Sequence, residues 1–249
     1  MDIYLDNNAF IDIEQGSLTI DDLKNKYKDE NLSFYYSPAH IHESNEIKAD
    51  SLALIQERLE KRFKTISSIT QNNYLYQELS SNEVHKIKQI PFSIYKLINQ
   101  VSFAKDSMKS MVNIVDESQK QIVREAIGLN PTEMNNYRTS DVISQINKKL
   151  DLFQGYSFLG LIEMGFELHP DGKSFGLHNK FAGVFELLDF FGYWKDKYNE
   201  KSNYARLWDS NHAFFASYCD VFISRDKRTR NKAEVAYNVF EINTKVDLI

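Results

Sequence analysis

The chain has 249 residues, 42% of them hydrophobic and 26% charged, and a formal net charge of −5. That balance describes an ordinary globular protein with a sizeable core, either one domain or a domain carrying an insertion, and it argues against broad, non-specific coating of nucleic acid. One cysteine, Cys219, excludes an internal disulfide and any zinc-type spacing. No basic stretch precedes an apolar core near Met1, and no run of about 18 apolar residues occurs, so the expectation is a cytoplasmic protein with neither signal peptide nor membrane partner.

Residues 2–5 predict a first strand, and Asp6 follows it at once. Residues 8–14 read as a short helix ended near Gly16, and 20–31 as a polar amphipathic helix or turn anchored by Leu23 and Tyr27. The aromatic run 32–36 predicts a second strand. Ser37-Pro38 marks a helix start, with Ser37 as N-cap and Pro38 at the first helical position, which puts His40, His42 and Glu43 in its first turns.

From 46 to 204 helical spacing takes over. Ile47, Leu52, Ile55, Leu59, Phe63 and Ile66 recur on one face, as do Ile94, Leu97, Ile98 and Val101, and then Val142, Ile146, Leu150 and Phe153 after an Asn130-Pro131 break. No convincing strand occurs in this span, with a further edge strand hidden in it left as an alternative to 245–248. Seven of the nine glycines fall between Gly155 and Gly192, among Phe158, Phe166, Phe175, Phe181, Phe185, Phe190, Phe191 and Trp194; this predicts tightly packed helices joined by a loop at 169–173. After Tyr204 strands and helices alternate: helix 206–218, strand 221–224, helix 230–236, strand 238–242, with 245–248 as a further candidate strand. The expected fold class is α/β, a small mostly parallel sheet flanked by helices and made from 1–45 plus 205–249, with an all-helical insertion over 46–204.

In a parallel sheet, residues that follow the strands meet in a crevice at their carboxyl edge. By that rule Asp6, Glu43 and Asp226 share an edge, and Asp209 joins them if its helix packs beside Asp6. Four carboxylates there repel one another unless Mg²⁺ or Mn²⁺, which prefer carboxylate and water oxygens, compensates. Each acid also has a simpler use: Asp6 and Asp209 as helix caps, Glu43 as a complement to a helix N-terminus, Asp226 as a turn residue. Asp220, ahead of the third strand, is expected at the opposite edge, with Asp12 and Glu14 as solvated helix surface.

His212, three residues after Asp209 on one helix face, is a candidate for phosphate or a second metal; His40 and His42 point about 200° apart and cannot both serve one ion. Asn7 and Ser224 are placed to orient water or phosphate. Arg225, Lys227, Arg228, Arg230 and Lys232 surround Asp226, where a phosphate would need cations. An aspartate-nucleophile phosphatase also wants an Asp after its first strand, but its second acid would stand where Asn8 does.

The ordered set Tyr4-Leu-Asp6, Ser37-Pro-Ala-His-Ile-His-Glu43, Trp208-Asp209 and Ile223-Ser-Arg-Asp226 resembles the PIN domain family of metal-dependent ribonucleases. The resemblance covers the two ends of the chain; the 46–204 span departs from the small members and is similar to larger bacterial PIN-like proteins. It implies hydrolysis of single-stranded RNA by a metal-bound water held by Asp6, Glu43, Asp209 and Asp226 with Mg²⁺ or Mn²⁺. Asn7, His212, Ser224, Arg225, Lys227 and Arg228 would meet the substrate. It also implies a toxin or defence setting with an antitoxin or other protein partner, and leaves room for a homo-oligomer. The reading from a different class is a non-catalytic interaction protein whose acids are caps and whose helical span binds a partner.

Overall fold

The computed structural model describes residues 1–98, 116–152, 155–168, 176–197 and 200–248; Val101, Phe153, Phe175 and the loop expected at 169–173 lie outside the described residues. The chain divides into two compact units, one of Met1–Phe103, Phe215–Arg225 and Thr244–Ile249, the other of Ala104–Phe214 and Asp226–Asn243.

The first unit is built on a four-stranded parallel sheet of order β2-β1-β5-β6, from β1 (Asp2–Leu5), β2 (Ser33–Tyr35), β5 (Val221–Ile223) and β6 (Lys245–Asp247). Ile3, Tyr4 and Leu5 are completely buried, as befits an apolar run with a neighbour on each side and helices over the sheet. Helices α1 (Asn7–Gln15), α2 (Ile20–Tyr27), α3 (Pro38–Ser44), α4 (Leu52–Thr70) and α5 (Pro91–Ile98) complete the unit. Phe10, Leu23, Phe34, Ile41, Phe63, Ile66 and Ile223 join β1 in one core. Asp220 sits at the amino edge as expected, its carboxylate accepting from the Asp2 N–H at 2.7 Å.

Two expectations fail here. The 46–204 span is not all helical, because β3 (Asn73–Gln77) and β4 (Val84–Lys88) form an antiparallel hairpin. Gln71 and Asn72 take left-handed conformations that turn the chain out of α4, and the Asn73 amide donates to the Phe34 carbonyl while Leu75 N–H donates to Tyr36 O at 2.8 Å. Backbone contacts with the end of β2 thus hold a pair whose β4 residues, Val-His-Lys-Ile-Lys, are mostly exposed and carry no apolar pattern. The strand expected at 238–242 is instead the last two residues of a longer helix, α12 (Lys227–Val239), followed by a turn, and the sheet's last strand is the 245–247 segment. Packing decides the helix end: Tyr237 donates to the Ala213 carbonyl at 2.8 Å, Phe240 lies 5.3 Å from Phe181, and Glu241 reverses the chain with φ 54°.

In the second unit, helices α6 (Glu117–Ala126), α7 (Pro131–Met134), α8 (Val142–Asp151), α9 (Phe158–Leu168) and α10 (Leu177–Phe191) join α12 and most of α11 (Glu200–Ala216). Asn130 and Pro131 are the N-cap and first residue of α7. Gly183 of α10 lies close against Ile162 of α9, where an added Cβ would meet the Ile162 side chain at 3.2 Å, the close helix contact that the glycine-rich stretch implied. Asp189, 3% exposed, is ringed by Lys120 at 3.1 Å, Arg206 at 3.1 Å and Lys232 at 3.8 Å. Burial alone would raise its pKa, but the surrounding cations outweigh it and hold the carboxyl below the usual range. Among the described residues, no helix is long and apolar enough to cross a membrane.

Asp189→Ala leaves three buried cations short of their counter-charge, so urea unfolding is expected to show a loss of about 3–5 kcal/mol.

Candidate functional site

Parallel register pairs Leu5 with Ile223 and Tyr4 with Tyr35, so Asp6, Ser37 and Ser224 emerge side by side at the carboxyl edge of the sheet. The order β2-β1-β5-β6 reverses between β1 and β5, which makes the crevice beyond them the topological switch point where ligands of open α/β sheets bind.

Asp6 occupies the N-cap position of α1, yet its side chain makes no capping bond. Its backbone N–H donates to Ile223 O at 2.8 Å, and its carboxylate accepts from the Ser224 hydroxyl at 2.6 Å and lies 3.5 Å from the Asn8 amide nitrogen. The residue is 3% exposed. One carboxylate oxygen of Asp6 and one of the half-buried Glu43 lie within 4.8 Å of each other. Two carboxylates that close repel when both are ionised, and a cation between them relieves the repulsion.

Glu43 is aimed by the start of α3. Ser37 and Pro38 take the N-cap and first helical positions, and the Ser37 oxygen accepts from Ala39 N–H. Ser37 N–H donates to Nδ1 of His40 at 3.0 Å, so the ring proton sits on Nε2, which donates to the Leu5 carbonyl at 2.8 Å. His40 is completely buried, edge-on to Phe10 with centroids 5.2 Å apart, and the Tyr4 hydroxyl bonds Ser37 Oγ at 2.6 Å. Burial holds the Tyr4 phenol well above its ordinary pKa. In the sequence His40 stands in a His-Ile-His-Glu string and is assigned no role. In the fold it is a clamp between the last residue of β1 and the helix bearing Glu43, and both its nitrogens are spent there. Its place three residues after an N-cap serine, the capping-box position, was the available signal.

Of the other predicted residues, Ser224 meets Asp6 and belongs with it in the first unit, while Asp209, His212 and Asp226 belong to the second. Asp209 is half-buried and His212 completely buried on α11. Asp226 caps α12, its carboxylate accepting from Arg228 N–H at 2.7 Å and Thr229 N–H at 3.4 Å. Asn7 accepts from Arg62 at 2.7 Å, and Arg62 also bonds Glu14. Arg225 pairs with Asp12 at 2.6 Å.

Asp12 and Glu14 are therefore not solvated surface: each faces a cation from an element far along the chain. Nor does the basic run act as one patch. Lys232, 2% exposed, is paired with Asp196 at 2.9 Å, and Lys227 lies over the Trp194 ring at 4.5 Å, while Arg228 is exposed. Helical phase turns Lys232 inward, which a count of charges cannot show.

His40→Ala removes two buried hydrogen bonds and leaves a cavity, and is expected to cost about 2–4 kcal/mol in urea unfolding. Burial lowers the His42 pKa to about 4. The folded state thus takes up its proton later than the unfolded chain, whose value is about 6.5. Stability is full above that pH, falls as pH drops through the interval, and levels off below about 4, a loss of up to about 3 kcal/mol. Denaturation midpoints between pH 7 and 4 should decline less for His42→Gln than for wild type.

Set against protein-family models, curated proteins and solved structures, the chain matches none.

Proposed function

We propose that the protein is a metal-dependent nuclease that hydrolyses phosphodiester bonds, with single-stranded RNA as its substrate, on a PIN-like arrangement of acids. The observation that carries this reading is Asp6: an aspartate at an N-cap that forgoes the capping bond and instead stands beside Glu43 at the switch point of a parallel sheet. Helix capping is the ordinary use of such a residue, and its side chain is not put to that use.

The donor set suits Mg²⁺ or Mn²⁺, since both acids offer hard carboxylate oxygen and no thiolate lies near. Asp6 and Glu43 would hold the ion, with Asp209 and Asp226 as the further carboxylates of the ordered motif. When bound, the ion supplies positive charge that relieves the acid pair, acidifies water and offsets charge building on a phosphodiester. Ser224 holds one oxygen of Asp6 in place by donating to it. Arg228 and Lys227 supply cations for the phosphate, and His212 follows Asp209 at a spacing that lets both face one group.

Asp226 favours the second reading, an interaction protein without the four-acid site, because its carboxylate does cap a helix.

Labelled single-stranded RNA and DNA incubated with Mn²⁺ or EDTA test the first reading. Cleavage is expected with Mn²⁺, none with EDTA, and Asp6→Asn should reduce the rate by at least about a hundredfold, with Ser224→Ala losing about tenfold as a partner of a ligand. Metal-independent cleavage, or cleavage that survives Asp6→Asn combined with Glu43→Gln, sinks it. Thermal unfolding separates the two readings: at about a hundred times Kd, Mn²⁺ should add about 2.7 kcal/mol to a true site and nothing to a set of caps.

A further inference from the structure

The first unit carries an open groove of about 330 Å³ between α4 and the segment that enters α5, lined by Glu60, Phe63, Lys64, Ser67, Ile90 and Phe92. Two of its lining residues, Phe63 and Phe92, are aromatic, and Tyr95 stands beside both. Phe63 lies 5.1 Å from Tyr95 and 6.3 Å from Phe92, and Phe92 and Tyr95 are nearly parallel at 18° with centroids 6.3 Å apart. Phe63 is buried, whereas Phe92 and Tyr95 are only half covered and Ile90 is 56% exposed. The Lys96 ammonium sits 4.6 Å over the Phe92 ring.

Charge around the groove runs against that of the chain. Residues 52–98 hold seven lysines and arginines, four glutamates and no aspartate, within a protein of net charge −5. Lys61, Lys64 and Lys96 are exposed, and none of the three is paired with a carboxylate among the described residues. Exposed ammonium groups beside half-covered, parallel rings match what an unpaired nucleotide strand offers: flat π-faces at one side and phosphates at the other.

The groove is also anchored to the acid pair's own scaffold. Arg62, the residue before Phe63, reaches the Asn7 side chain at 2.7 Å, and Asn7 opens the helix that follows Asp6. The other wall, α5, packs against α3, which carries Glu43.

We propose that this groove is the binding track for single-stranded nucleic acid, with bases stacking on Phe92 and Tyr95 and phosphates neutralised by Lys61, Lys64 and Lys96. This rests on the nuclease reading for its purpose but not for its test. Binding is measured in EDTA, where no metal-dependent cleavage occurs, by fluorescence anisotropy of labelled single-stranded RNA, single-stranded DNA, duplex DNA and polyglutamate.

Wild type should bind single strands in preference to duplex and polyglutamate. Phe92→Leu, which keeps apolar bulk and removes the ring, and Tyr95→Ala should each weaken binding about tenfold. Lys64→Glu should reduce the slope of log affinity against log salt by about one. A strand carrying 5-iodouridine should cross-link to the peptide bearing Phe92 and Tyr95. Unchanged affinity in Phe92→Leu and Lys64→Glu, cross-links elsewhere, or a preference for polyglutamate or duplex overturns the proposal. If the groove binds and no cleavage is found with Mn²⁺, the nuclease reading fails alone; if cleavage is found with KM unmoved by these variants, the groove fails alone.

Discussion

The hydrogen bond that the Leu5 carbonyl accepts from the buried His40 imidazole joins the three elements on which the candidate site stands. One side of that ring holds the end of the central strand, the other takes the Ser37 amide at the close of β2, and the helix that follows carries Glu43 three residues on. Parallel pairing of β1 with β5 then sets Asp6 beside Ser224. A carboxylate placed by backbone register and a second one placed by a locked helix start have little freedom to move apart, so the repulsion between them is built in. A pair with that property is organised before any ligand arrives.

The second unit solves a different problem with the same ingredients. Its buried charges are numerous, but they are balanced: Asp189 meets Lys120, Arg206 and Lys232, and Arg206 also pairs with Glu186 at 2.7 Å and Asp196 at 3.3 Å. Such networks are costly to assemble and costly to break, and they tie together helices α6, α10, α11 and α12 through geometry rather than through apolar area alone. The contrast with the Asp6–Glu43 pair is chemical: there the two neighbours are both acids.

Much of the first unit was legible in the sequence because its signals are local. An apolar run followed by an acid marks β1 and Asp6, and Ser37-Pro38 marks the start of α3 to the residue. What could not be read is set by partners distant along the chain. Nothing local distinguishes Asp6, which does not cap its helix, from Asp226, which does; the difference lies in where Ser224 stands. The hairpin escaped because four of the five β4 residues face solvent and β3 is anchored by backbone bonds to Tyr36, just past β2. The role of His40 was not legible because its neighbours in sequence are His42 and Glu43, while its neighbours in space are a carbonyl and an amide.

The hydroxyl of Ser224 and the carboxylate of Asp6 are 218 residues apart in the chain. A ribosome that has made β1, α1 and even α3 has therefore exposed the acids without the strand that seats them, and the long separation makes that pairing slow to nucleate. Asp6 acquires its final neighbours only once β5 has been synthesised and docked. A chain interrupted at any earlier point holds Asp6 and Glu43 but not the Ser224 hydroxyl that seats the Asp6 carboxylate, so truncated products of translation carry both acids without that arrangement.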